Sequence, residues 1–121
     1  VQICMKEELE AQQITVDIGE QVPLEGRIKA DLAVGTVLIE VKRRGLFGAK
    51  DIEKYQTCRR IANANRLEYL YITGQESYQP YRNRTVQALG QENAFFLDTP
   101  GEWARFINRL VDLLAQPRPD R

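Results

Sequence analysis

The stretch of sequence that decides the fold is ADLAVGTVLIEVK, residues 30–42. Its centre, Gly35-Thr36, suits a two-residue hairpin loop with glycine first, which is a type II′ turn. Pairing across this loop sets Asp31 directly opposite Glu40 on the neighbouring strand. The sequence therefore predicts a tight β-hairpin that brings two acids together.

One face of the predicted hairpin is apolar along its whole length. Its residues are Ile28, Ala30, Leu32, Val34, Val37, Ile39 and Val41. A slip of one residue would turn half of these side chains outward, so the register is well specified. The opposite face carries Asp31, Glu40 and Lys42.

Size and composition restrict the classes of protein that fit. The 121 residues suit one domain, and no apolar run approaches the roughly 20 residues that span a bilayer. We see no signal-peptide pattern, and a start at Val1 is compatible with a piece of a longer protein. Two isolated cysteines, Cys4 and Cys58, favour reduced thiols in an intracellular protein over a disulfide. The absence of histidine excludes Ser-His-Asp and Cys-His catalysis and histidine-ligated zinc.

The net charge is zero, but the charges are unevenly distributed. Residues 42–66 contain eight basic and two acidic side chains, a net charge of +6, so the remainder carries −6. One interpretation is a solvated helix face. Because the basic segment begins beside the acid pair, we favour a surface that binds phosphates.

Apolar periodicity predicts an α/β fold. In chain order we expect a helix over 1–13, a strand over 14–20, a turn at 23–26, the hairpin, a loop at 45–48, a helix over 49–65, a strand over 67–72, a helix over 78–89, a strand over 94–97 and a last helix. Thr99 is the predicted N-cap of that helix, with Pro100 at the first helical position and Glu102 completing a capping box. The crossover helix before the fourth strand predicts a mixed β-sheet flanked by helices on both faces.

The hairpin also predicts a chemistry. Directly opposed residues have Cβ atoms roughly 4.5–5.5 Å apart, which lets Asp31 and Glu40 share one divalent cation. Magnesium is commonly held by one or two carboxylates, and Lys42 lies on the same face, where it could act on a metal-bound water. The alternative is the polar face of an amphipathic strand. Aspartate is depleted in strand interiors, so two opposed acids favour a bound cation.

These residues resemble the PD-(D/E)XK, or restriction-endonuclease-like, nuclease superfamily. Its signature is an acid on the second strand and Glu-x-Lys on the third, within an αβββαβ core. Ala30-Asp31 stands for the Pro-Asp pair, without its proline, and Glu40-Val41-Lys42 matches the Glu-x-Lys element. The similarity in element order covers about residues 1–73 of one domain over 1–121, with peripheral elements over 74–115 and a tail over 116–121.

The resemblance implies roles for individual residues. Asp31 and Glu40 would bind Mg²⁺, with Mn²⁺ able to substitute and the backbone carbonyl of Val41 as a further ligand. Lys42 would position or activate the attacking water. Many members carry a glutamine on the next helix, where Gln56 is either catalytic or a plain surface residue.

Many members also carry an acid on the first helix. Glu8 is the candidate within this chain, although the family residue usually lies nearer the helix start, where this sequence has Gln2. A residue outside this sequence is the alternative.

The expected function is a Mg²⁺-dependent endodeoxyribonuclease that acts on DNA in the cytoplasm. It would act as a single chain, as a homodimer, or as one domain of a larger defence, repair or recombination protein. The alternatives are an inactive nucleic-acid-binding module of the same fold and a small domain with no nucleic-acid role. The expected phosphate contacts are Arg43, Arg44, Lys50, Lys54, Arg59 and Arg60.

Overall fold

The fold is an α/β arrangement of five strands and four helices, seen in a computed structural model that describes residues 2–12, 18–25, 28–42, 49–74 and 79–115. The elements are α1 (Gln2–Ala11), β1 (Ile18–Glu25), β2 (Ile28–Val34), β3 (Val37–Lys42), α2 (Ala49–Ala64), β4 (Glu68–Thr73), α3 (Gln79–Leu89), a 3₁₀ turn (Gln91–Asn93), β5 (Ala94–Phe96) and α4 (Glu102–Ala115). Among the helices that the structure describes, none has both the length and the apolar sequence needed to cross a membrane.

The strands form one mixed sheet in the order β1-β2-β3-β4-β5. The first three strands are antiparallel neighbours, whereas β3, β4 and β5 run parallel to one another. Helices α2 and α3 make the two crossovers and pack on the same side of the sheet. Right-handed crossovers that advance in one direction require this arrangement. The predicted mixed sheet with helices on both faces is confirmed.

The β2–β3 hairpin has the predicted register, with Val34 opposite Val37. Gly35 has a φ of 57°, and Thr36 is not among the described residues with positive φ. This pair of signs is that of a type II′ turn, which favours glycine at the first loop position. A Cβ atom at Gly35 would also lie 3.0 Å from Cδ2 of Leu114, so α4 packs directly on the hairpin loop.

Two apolar layers sandwich the sheet. The first lies between the sheet and helices α1 and α4, and contains Met5, Leu9, Leu32, Val34, Val37, Ile39, Leu70, Ile72, Phe95, Phe106, Ile107, Leu110 and Leu113. The second lies between the sheet and helices α2 and α3, and contains Ala30, Leu38, Ile52, Tyr55, Cys58, Ala62, Tyr69, Tyr71, Leu89, Ala94 and Phe96. Strand alternation separates the layers, since successive side chains point to opposite faces. Glu40 and Lys42 therefore project on the same side as the second layer.

The first strand extends beyond its predicted end. It begins at Ile18 and continues through Pro23 to Glu25, whereas the prediction was a strand over 14–20 and a turn at 23–26. Residues 13–17 lie outside the described part of the chain. Proline is tolerated here because β1 is an edge strand, and its pairing with β2 shifts register between Pro23 and Glu25.

The last helix starts later than its predicted cap. It begins at Glu102, and the N–H of Arg105 donates to the carbonyl of Gly101, so Gly101 rather than Thr99 is the N-cap. The Thr99 hydroxyl instead accepts a hydrogen bond from Arg82. The Glu102 carboxylate accepts the backbone N–H of Phe96 and pairs with Arg105, so it fastens the helix to β5.

Both cysteines are free thiols, as predicted. Cys58 is buried in the second layer, and its burial raises the pKa of its thiol. Cys4 is exposed on α1.

Candidate metal and phosphate site

The two acids of the hairpin meet at the point where β2 separates from β3. The ladder between these strands ends at the Leu32–Ile39 pair. Antiparallel alternation would next bring the N–H of Val41 to the carbonyl of Ala30. That N–H donates instead to Oδ2 of Asp31, at 2.9 Å. The Asp31 carboxylate therefore takes the place of a strand carbonyl and is turned towards β3.

Ala30 shows the same departure from a regular strand. The predicted apolar face placed it with Leu32 and Val34, but it belongs to the second layer, beside α2. Strict alternation therefore fails one residue before Asp31. Pairing with β3 has already ended there, whereas pairing with β1 continues.

Glu40 is the buried member of the acid pair, with only 2% of its surface exposed. Burial and the neighbouring Asp31 carboxylate, which accepts a hydrogen bond from protonated Glu40 and repels its charged form, together raise the pKa of Glu40 to about 8. The ammonium groups of Lys42 and Lys54 act in the opposite direction. At neutral pH Glu40 therefore retains its proton unless another cation takes that proton's place.

Two tyrosines connect the acid pair to helix α2. Tyr71 is the β4 residue paired with Glu40 in the sheet, and its ring centroid lies 4.9 Å from that of Tyr55 on α2. Lys42 Nζ and Lys54 Nζ each lie 6.0 Å from the centroid of the Tyr55 ring. We call Asp31, Glu40, Lys42, Lys54 and Tyr55 the acid–lysine site.

The structure thus brings together Asp31, Glu40 and Lys42, the residues that the sequence predicted as a group. Val41 contributes its N–H to Asp31, while its carbonyl as a metal ligand stays a prediction. Arg43 and Arg44 lie outside the described residues. Lys50 lies in the first turn of α2.

Gln56 lies on a different edge of α2 from Lys54. Side chains two positions apart on an α-helix point in directions that differ by about 200°. Gln56 is exposed and lines a groove of about 550 Å³ with Arg59, Arg60 and Ala88 of α3. Arg59 also donates to the Ala88 carbonyl at 3.3 Å. The catalytic role of Gln56 stays a prediction, and this groove gives it a different set of neighbours.

Glu8 does not join the acid pair. It is exposed on α1, and α1 packs in the first layer with α4, on the other side of the sheet from Glu40. Within the described ranges, no group of three or more His, Cys, Asp or Glu residues is placed to hold a metal. Asp31 and Glu40 are two carboxylates, a number that is common for Mg²⁺ sites completed by water and phosphate oxygens.

Sequence reasoning missed the tyrosines and placed Lys54 only among general phosphate contacts. A signal for Tyr71 was available, because parallel pairing of β3 with β4 puts it beside Glu40. A signal for Lys54 was its position next to Tyr55, which has helical spacing with Ile52 and Cys58 on the buried face of α2.

Comparison of the chain with protein-family models, with curated proteins and with solved structures gives no significant match. The chemistry of the acid–lysine site is therefore the basis on which a function is assigned.

Proposed function

We propose that this chain is a metal-dependent nuclease that hydrolyses DNA phosphodiester bonds, with a core of the restriction-endonuclease-like type. The observation that carries the proposal is the contact between the carboxyl groups of Asp31 and Glu40, with Lys42 on the same face of the sheet. The order α1, β1, β2, β3, α2, β4 supports that core, since it follows the αβββαβ pattern.

The acid pair fits a hard divalent cation. Two carboxylates in contact cannot both ionise easily, and burial of Glu40 increases that difficulty. A metal ion supplies the missing positive charge, and carboxylate oxygens are the ligands that Mg²⁺ and Mn²⁺ prefer. Asp31 and Glu40 would hold the ion, with the Val41 carbonyl as a third protein ligand. When bound, Mg²⁺ lowers the pKa of its water and offsets negative charge on the phosphate.

The other residues position the reacting groups. The N–H of Val41 fixes the orientation of Asp31 by donating to Oδ2. Lys42 follows Glu40 by two residues on β3, where its ammonium group can hold a water against the phosphate. The Tyr55 ring contacts Lys42 through a cation–π interaction and limits the directions that its flexible side chain can take.

The basic residues of α2 extend the proposed substrate surface. Arg59 and Arg60 line the groove beside α3, and Lys50 lies in the first turn of the same helix. Contacts of this type fix affinity and register on DNA and do not select a sequence. We place the activity inside the cell, either in this chain alone, in a homodimer, or within a larger protein.

A second candidate is a DNA-binding module that does not cut. The observation that favours it is the burial of Glu40 beside Asp31, which raises the pKa of Glu40, since a neutral glutamic acid needs no metal. The two functions differ in one respect: only the nuclease requires Mg²⁺ for its effect on DNA.

A cleavage assay tests the proposal. The chain is incubated with end-labelled duplexes, junctions, flaps, single strands and an RNA strand, in Mg²⁺, in Mn²⁺ and in EDTA. We expect cleavage of at least one DNA form in either metal and none in EDTA. Salt-sensitive binding without cleavage would establish the second candidate. A chain that neither binds nor cuts would be a domain with no nucleic-acid role.

A further inference from the structure

Lys54 is a second cation at the acid pair, contributed by a different element from Lys42. It is exposed on α2, and its Nζ lies as far from the Tyr55 ring centroid as Nζ of Lys42 does, at 6.0 Å. The two nitrogens are therefore no more than 12 Å apart. The Tyr55 ring thus makes cation–π contacts with two ammonium groups, one from the sheet and one from helix α2.

Neither ammonium group forms a close ion pair with an acid within the ranges that the structure describes. The ion pairs found there join Arg82 to Asp98 and Arg105 to Glu102, beside β5. Two ammonium groups beside one ring repel each other, and an anion bound close to both reduces that repulsion. A phosphate group is the anion that DNA would bring here, and its several oxygens can accept hydrogen bonds from more than one ammonium group.

We propose that Lys54 is a catalytic residue that binds a non-bridging oxygen of the scissile phosphate, on the side of that phosphate away from Lys42. This inference rests on the proposed nuclease function. During hydrolysis the oxygen of water forms a bond to phosphorus, and the bond from phosphorus to the leaving sugar oxygen breaks. One proton of the water ends on that leaving oxygen. Lys54 takes no part in the proton transfer and stabilises the charge that grows on the phosphate oxygens.

Lys54 lies beside the acid pair, so its proposed role differs from that of the basic residues that only attract DNA. Arg59 and Arg60 lie along the groove with α3, where they would hold phosphates remote from the acid pair. Loss of Arg60 should therefore act through KM. Loss of Lys54 should act through kcat, because its contact strengthens as the phosphate gains charge.

The test compares Lys54→Gln, Lys54→Arg and Arg60→Gln with Lys6→Gln, which removes the same charge from an exposed position on α1, across the sheet. On the best-cut DNA form in Mg²⁺, we expect Lys54→Gln to lower kcat by about 10²-fold or more. Lys54→Arg should recover part of that loss, and Lys6→Gln should match the wild type. A wild-type kcat in Lys54→Gln would overturn the inference and leave the nuclease proposal standing.

A second readout does not depend on cleavage. Binding of the same DNA is measured in EDTA at several salt concentrations for the wild type, Lys54→Gln and Lys6→Gln. We expect Lys54→Gln alone to reduce the slope of log K against log salt by about 1, as for one lost phosphate contact. If the wild type never cuts but this change is seen, the nuclease proposal fails and the phosphate contact of Lys54 stands. An unchanged slope would contradict the contact itself.

Discussion

Asp31→Asn is expected to reduce Mg²⁺-dependent DNA cleavage by at least about 10³-fold while the chain stays folded. Asparagine has the shape of aspartate, and its Oδ1 can accept the Val41 N–H that Asp31 accepts now. A neutral amide, however, cannot share the charge of a divalent cation with Glu40. The measurement is the initial rate of cleavage in Mg²⁺, with circular dichroism and thermal unfolding as checks on the fold.

The matched control for this change is Asp112→Asn. Asp112 is exposed on α4, on the other side of the sheet from Glu40, so the control removes the same charge without touching the acid pair. We expect it to cut at the wild-type rate. Residual cleavage in Asp31→Asn near that rate would exclude Asp31 from the mechanism.

The metal-free protein is expected to lose stability as the pH rises from about 4.5 to about 8. The pKa of Glu40 is about 8 in the folded chain, against 4.5 for an ordinary glutamate. Between these values the folded state keeps a proton that the unfolded state has released, so the free energy of unfolding falls as pH rises. Below pH 4.5 and above about pH 8 the contribution of Glu40 to the free energy of unfolding no longer changes with pH. The total loss between these limits is on the order of 1–5 kcal/mol.

Glu40→Gln should remove this loss of stability, because glutamine does not titrate. In EDTA, urea unfolding at pH 5 and pH 8 should show a smaller difference in free energy for Glu40→Gln than for the wild type. At pH 8 the variant should be the more stable of the two by about 1 kcal/mol or more, although it should not cut DNA. Parallel pH profiles for the two proteins would contradict the buried, protonated state of Glu40.

Local sequence rules were sufficient for the hairpin. Gly35 has the positive φ that the first position of a type II′ turn requires, and alternation from Val34 and Val37 then fixes every later pair down to Leu32 and Ile39. The apolar spacing of α4 likewise identified its buried face, which packs on the sheet. In both cases one face is buried, so a shift in register would expose apolar side chains.

Segment ends were harder to predict because side chains compete for backbone groups there. Thr99 has the identity of an N-cap, but Arg82 takes its hydroxyl, and Glu102 uses its carboxylate on the Phe96 N–H. Pro23 looks like a turn residue, yet it is tolerated in β1 because that strand lies at the sheet edge.

The candidate site was predictable in its composition but not in its details. Alternation along β3 placed Glu40 and Lys42 on one face, and the hairpin register brought Asp31 to them. The N–H of Val41 donates to the Asp31 carboxylate and not to a backbone carbonyl of β2, because pairing between β2 and β3 ends at Leu32 and Ile39. No local sequence pattern shows where that pairing ends. The sequence also could not choose between Lys54 and Gln56, since only the packing of α2 against Tyr71 shows which edge faces the acids.

The most direct test asks whether Asp31 and Glu40 hold one divalent cation. Isothermal titration of the wild type with Mg²⁺, in two buffers of different ionisation enthalpy near pH 7, measures the number of ions bound and the protons released. We predict one ion per chain, with release of up to one proton as Glu40 ionises, and no such site in Asp31→Asn. Equal binding by both proteins, or binding by neither, would contradict a metal centre built on this acid pair.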